Sequence, residues 1–223
     1  MNSIWLSITV GLAATLGSLP VAVAVAWFLE RTRSGLRDLV QTVVMLPLVL
    51  PPVVTGYLLL KLFSPIGPVG RALSSLGTPV AFHWMGAVVA AGVVGLPLFV
   101  LMTAQAMKAI DPRYEIVSGS LGASRWRTFW RVTLPLTWPG ILSGAVIAFA
   151  RGLGEFGATI ILAGRIPGET QTIPLEIYAE LDAPGGERRI LGLIVASVAI
   201  GTACVLASRA LDRWYRRRLE IER

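Results

Sequence analysis

The chain predicts an all-α integral membrane protein, a polytopic helical bundle of five spans, and three observations carry that expectation. Charged residues fill only 15% of its 223 positions and hydrophobic ones 54%, for a mean hydropathy of +0.69, which is not the composition of a soluble domain. Residues 4–29 contain no Asp, Glu, Lys or Arg over 26 positions, and a helix rising about 1.5 Å per residue needs about 20 to cross a hydrocarbon core. Four more long apolar runs follow, at 39–60, 84–107, 138–164 and 190–208.

The first run has no basic stretch ahead of it and exceeds the apolar segment of a cleaved leader, so it reads as a span. The second run holds MLPLVLPPVVTGY, with Pro47, Pro51 and Pro52. Each proline removes a backbone donor and bends the helix, so the freed carbonyls must face protein or a wet cavity. Such a break either lines a substrate path, as broken helices do, or is a packing kink. Thr55, Gly56 and Tyr57 follow it and offer donors or a close backbone approach. The 64–79 connection, rich in Gly, Pro and Ser, carries no functional signal. Pro97 adds a milder bend to the third run.

The fourth run, FARGLGEFGATI, places Arg151 and Glu155 four apart inside apolar sequence. On one helix face they can pair. Ionisable groups at such depth are costly unless paired or wet. Two readings stay open: a structural ion pair, or an Arg151 that faces a pathway and passes an anion while Glu155 holds its side chain. Gly152, Gly154 and Gly157 allow close approach of another helix. The outer loop 164–189 has three bases against five acids. It repels an anion on its own and reads as a docking surface for a carrier protein, an element packed into the bundle, or an ordinary outer loop. A sixth span arises only if 172–181 dips in as a half-helix.

Placing the 30–38 loop, the 108–135 loop and the tail from Arg209 on the inside collects fourteen of the twenty Lys and Arg, and with their acids the whole net charge of +7. That predicts an outside N-terminus and a cytoplasmic C-terminus. It also removes the nucleic-acid reading of a pI near 10.5, because the charge is divided among three segments. The tail, SRALDRWYRRRLEIER, is basic and aromatic and reads as an interfacial end resting on lipid.

The 108–135 loop is longer than a return trip needs. Asp111-Pro112 reads as an N-cap with a first-turn proline, and Gly122 as the stop of a helix over 112–121; Ser124 begins a second helical run, RWRTFWRV. A short helix standing out of the membrane can lie in a partner's groove; the same stretch would also suit lipid headgroups. Gly122, Val132, Leu134 and Pro135 fall where the coupling loop of ABC importer permeases has Gly and Ile-x-Leu-Pro, and the loop resembles that signature. Ile116-Val117-Ser118 stand in place of its Glu-Ala-Ala, with Glu115 one residue early. On this resemblance Asp111, Glu115, Gly122, Arg125 and Pro135 are the ATPase-coupling candidates, and Arg151, Glu155, Thr55 and Pro51 the pathway candidates.

Three blocks narrow it. LPLVLPPVVTGYLLL, SLGASRWRTFWRVTLPLTWPGI and FARGLGEFGATIILAGRIPGETQTIPLEIY together resemble the permease subunits of molybdate ABC importers; sulfate, thiosulfate and tungstate permeases are the neighbouring alternatives. The resemblance implies a type I importer permease fold over 1–223 in the inner membrane, a homodimer, a separate cytoplasmic ATPase that binds ATP, and an external molybdate-binding protein.

Other features limit the alternatives. A phosphate-binding loop ends in Lys-Ser or Lys-Thr, whereas the only lysines, Lys61 and Lys108, precede Leu and Ala; no nucleotide or other cofactor is expected in this chain. A gradient-driven anion carrier normally shows two similar halves, and none is evident. His83 beside Trp84 reads as an interface anchor, and Cys204 stands alone, so neither disulfide, metal site nor catalytic residue is expected.

Overall fold

The computed structural model describes residues 2–181, 183 and 185–221, with side chains described for all of these except 212 and 214–221. The side chains of the tail beyond Arg213, on which its interfacial reading rests, lie outside the described residues. Eleven helices are numbered below in chain order. Four stretches are long and apolar enough to cross a membrane, or five when one bent pair counts as a single span.

The first crossing is α1 (Ser3–Arg31), started by the Asn2 side chain, which accepts from the Ile4 N–H at 3.3 Å. The second departs from expectation. Instead of one kinked helix over 39–60 there are two, α2 (Gly35–Val49) and α3 (Pro52–Phe63), bent by 116°. Pro51 and Pro52 explain the break: neither can donate, and each ring crowds the carbonyl four residues back. Pro47, by contrast, stays within α2. After α4 (Pro68–Ser75) comes α5 (Trp84–Lys108), which holds Pro97 inside it.

The fourth crossing departs at both ends. It begins at Arg125, not Trp138, as α7 (Arg125–Thr128), a π turn (Phe129–Thr133) and α8 (Leu134–Leu153) in one continuous 29-residue helix. The π turn follows from Pro135, which lacks the N–H that would meet Arg131; the Leu134 N–H reaches five residues back to the Phe129 carbonyl instead. At the far end the helix stops at Leu153 and resumes as α9 (Gly157–Leu162). The stretch 172–181 contains α10 (Ile173–Glu180), whose eight residues rise only about 12 Å. It is too short for a sixth span. Its first N–H, from Ile173, donates to Ser7 Oγ on α1 at 2.7 Å, so this part of the outer loop is packed into the bundle. The last crossing is α11 (Glu187–Ile221), whose part Glu187–Leu211 holds an apolar window long enough to cross.

Association of these helices relies on small residues, because lipid is as apolar as any leucine and only close packing distinguishes the bound state. Gly140, Gly144, Ala148 and Gly152 recur every four residues down α8 and face Ala106, Phe99, Gly95 and Ala91 of α5. These pairings run antiparallel. Gly92 lies over Ala14 of α1, and Ser143 on α8 meets the Ser208 hydroxyl on α11 at 3.0 Å. The result gathers Arg31, Lys108, α6 (Pro112–Ser120) and Arg125 at one end of the bundle, with the starts of α1, α5 and α11 at the other.

Candidate functional site

Two regions carry the polar chemistry. The first is the end around α6. Asp111 Oδ1 accepts from the Arg113 N–H at 2.9 Å with Pro112 behind it, and Gly122 closes the turn at φ +80°, a conformation that penalises any side chain. Ser124 Oγ accepts from the Arg127 N–H at 3.3 Å and opens α7, and the Ser118 and Thr128 hydroxyls, 2.9 Å apart, link α6 to it. No residue of α6 is buried, and Ile116, Val117 and Leu121 present apolar side chains outward. A short helix with its apolar side chains exposed in this way can lie in a partner's groove or on lipid headgroups.

Glu115 behaves otherwise. It is half-buried, forms an ion pair with Arg31 at the end of α1, and accepts from Thr133 Oγ1 at 2.7 Å within the π turn. Beside it Trp27 of α1 packs against Trp126 and Phe129, ring centroids 6.2 and 5.1 Å away. Of the coupling candidates, Asp111 caps α6 and Glu115 lies in its first turn, Gly122 is in the turn that follows, Arg125 opens α7, and Pro135 stands apart from them where α8 begins.

The second region is where the two broken helices meet. A Cβ at Gly157 would lie 2.8 Å from Pro52 Cβ, and one at Gly56 2.8 Å from the Ala158 Cα. Only glycines permit α3 and α9 to approach so closely. Arg151 Nη1 donates to Glu155 Oε2 at 2.9 Å. The pair forms, yet not along a continuous helix face as its spacing suggests, because the helix ends at Leu153 and Glu155 stands in the break. Its other oxygen accepts from the Ala158 N–H at 2.8 Å and so caps α9.

The partners differ in exposure: the Glu155 side chain is 2% exposed and that of Arg151 32%. Residues 148 and 152 of α8 face α5, Phe149 and Leu153 face Gly11 of α1, and Ser143 faces α11. At about 100° per residue, Arg151 projects from the remaining side. Thr55 is buried against this junction, and its hydroxyl has no hydrogen-bond partner among the described residues; Pro51 is exposed at the bend. Such an orphan is costly unless something outside the chain meets it.

Sequence reasoning missed Arg31 and Thr133, because Arg31 lies 84 residues from Glu115 and no local pattern links them. It also missed Glu176 of α10, 5% exposed and paired with Arg189 Nη2 at 2.6 Å. Among the described residues no three His, Cys, Asp or Glu gather as metal ligands would.

Residues 5–221 match the family model described as binding-protein-dependent transport system inner membrane component. The chain is 45% identical over 218 residues to the molybdenum transport system permease protein ModB of Escherichia coli strain K12, covering 97% of this chain and 95% of that one. It is 42% identical to ModB of Haemophilus influenzae, covering 99% and 95%, and 40% identical to that of Mycobacterium tuberculosis, covering 90% and 77%. Among solved structures, the inward-facing MetNI methionine ABC transporter superposes with a TM-score of 0.69 at 18% identity over 94% of both chains. A bacterial alginate ABC transporter in complex with its pentasaccharide-bound periplasmic protein gives 0.66 at 23% identity over 96% and 77%. These two establish likeness of fold.

Proposed function

The chain belongs to the family of binding-protein-dependent transport system inner membrane components, and from that premise we propose that it is the membrane-spanning subunit of an ATP-driven importer for molybdate. The observation that carries the reading is 45% identity along nearly the whole length to a molybdenum transport permease. The geometry suits it in two places.

The bare, apolar face of α6 supports docking of a cytoplasmic ATPase. ATP is bound and hydrolysed on that partner; this chain supplies the helix that moves with it. Asp111 and Gly122 set the length of the helix, Glu115 its attachment, and Arg125 and Pro135 the passage into α8. The basic residues gathered at the α6 end support a cytoplasmic position for it and for the C-terminus, with the N-terminus outside. An external molybdate-binding protein then meets the opposite end, at the 164–189 loop.

A single bundle of this size encloses little space, and a path on the axis of a C2 homodimer resolves that. The exposed apolar side chains of α2 and α3, among them Val43, Val53, Val54 and Tyr57, support a second copy beside the broken pair. In this arrangement Arg151 approaches the path with Glu155 fixing its base, and the Thr55 hydroxyl and the Pro51 bend lie along it. When ATP draws the ATPase subunits together, α6 moves with them and the bundle opens from one side to the other.

The test is uptake of labelled molybdate at trace concentration in cells with and without this chain, against excess tungstate or sulfate. Uptake that vanishes with the chain and yields to tungstate alone supports the reading. Equal competition by sulfate transfers the substrate to the sulfate branch, and uptake unaffected by deletion overturns the assignment.

A further inference from the structure

We propose that Glu115 is a positioning residue that acts inward, clamping α6 to α1 through Arg31 and to the π turn through Thr133, and does not serve as a contact to the partner ATPase. The inference rests on α6 being the element the ATPase moves. One carboxylate joins three separate pieces of chain: the last turn of α1, the first turn of α6, and the π turn that feeds α8. The Glu115 side chain is 25% exposed and that of Arg31 40%, one helical turn beyond Trp27 of the Trp27–Trp126–Phe129 cluster.

The consequence is mechanical. The remainder of α6 offers no buried side chain to the bundle; its other side-chain tie to the helix that follows is the Ser118–Thr128 pair of hydroxyls. A push on α6 therefore reaches α1 through this carboxylate, which also braces the π turn on the way into α8. The π turn sits where that force enters α8. Its hydrogen bonds are already shifted by one residue around Pro135, so it can change register at less cost than an α-helical turn. Without the clamp, α6 would still be bound by its partner, and its displacement would be lost in the loop.

The experiment uses the purified chain with its ATPase in proteoliposomes, reading molybdate taken up per ATP hydrolysed. Glu115→Gln keeps an acceptor for Thr133 but loses the charge, and Arg31→Gln removes the partner. Each is expected to lower uptake per ATP about five-fold, as suits one partly exposed charge-assisted contact, with the ATPase still bound. The exchanged pair Arg31→Glu with Glu115→Arg is expected to recover most of the loss. A spin label at Ser120→Cys in a Cys204→Ser background reports α6 mobility on the chain alone, independent of transport. Greater mobility in both single variants and its reversal in the exchange support the clamp. Unchanged mobility in Arg31→Gln, or loss of ATPase binding in Glu115→Gln with Arg31→Gln silent, overturns it. Should mobility respond while the parent complex moves no molybdate, the clamp stands and the transport reading fails.

Discussion

Replacing Glu155 separates its two tasks. Glu155→Ala removes both the acceptor for the Ala158 N–H and the partner of Arg151. A lost cap costs about 1 kcal/mol. A charge-assisted bond is worth about 1.5–3 kcal/mol, and because the Arg151 side chain keeps a third of its exposure the lower figure applies. The expected loss is about 2.5 kcal/mol. Glu155→Gln retains an amide oxygen that can cap α9 and sheds only the charge, so its loss is about 1 kcal/mol. Reversible unfolding of the detergent-solubilised chain, followed by intrinsic tryptophan fluorescence, measures both. If the two variants are equally destabilised, the cap contributes nothing; if Glu155→Ala loses less than about 0.5 kcal/mol, the ordinary range of surface substitutions, Glu155 does not hold the break.

Further expectations concern separate parts of the chain. The neutral double replacement Arg151→Gln with Glu155→Gln leaves no lone charge buried, so it should give a folded, ATPase-bound complex that no longer takes up molybdate; surviving uptake would make the pair structural only. Gly56→Ala forces a Cβ to within 2.8 Å of the Ala158 backbone and should cost about 1–3 kcal/mol as an overpacked contact, whereas Gly17→Ala, with nothing within 4 Å, should be neutral or stabilising in the same unfolding assay. Gly122→Val meets no neighbour but must hold φ +80°, a strain of about 1–2 kcal/mol; it should weaken ATPase binding in pull-down more than Gly122→Asn, whose side chain tolerates that backbone.

Crossings through uninterrupted apolar sequence were legible as they stand. Residues 4–29 and 84–107 gave α1 and α5 nearly to the residue, because in lipid a backbone has no alternative to the helix. Breaks were harder. Three prolines announced trouble in the second run: the lone Pro47 is absorbed inside α2, while the adjacent Pro51 and Pro52, each disfavouring helix at the residue before it, turn the chain by 116°; the size of that turn is not written in the local pattern. The fourth span starts thirteen residues before its apolar run, because RWRTFWRV with its three arginines reads as a separate helical run outside the membrane, while in the fold it continues into α8 with Phe129 packed on Trp27.

The candidate site was legible in part for the same reason. Asp111-Pro112 and Gly122 act through their own backbone, and a local pattern reveals such residues. Arg151 and Glu155 were found together, but the geometry expected of them was a helix face and the geometry present is a cap across a break. Thr55 stood out by its place just after the proline break, whereas Arg31 and Thr133 acquire meaning only from tertiary neighbours, so their sequence context is silent.

The most direct test of the central claim is reconstitution of this chain with its ATPase and the molybdate-binding protein in sealed vesicles, measuring accumulation of labelled molybdate with ATP present or absent. The account predicts uphill accumulation that requires ATP and all three proteins. Accumulation driven by an ion gradient in vesicles holding this chain alone would contradict it.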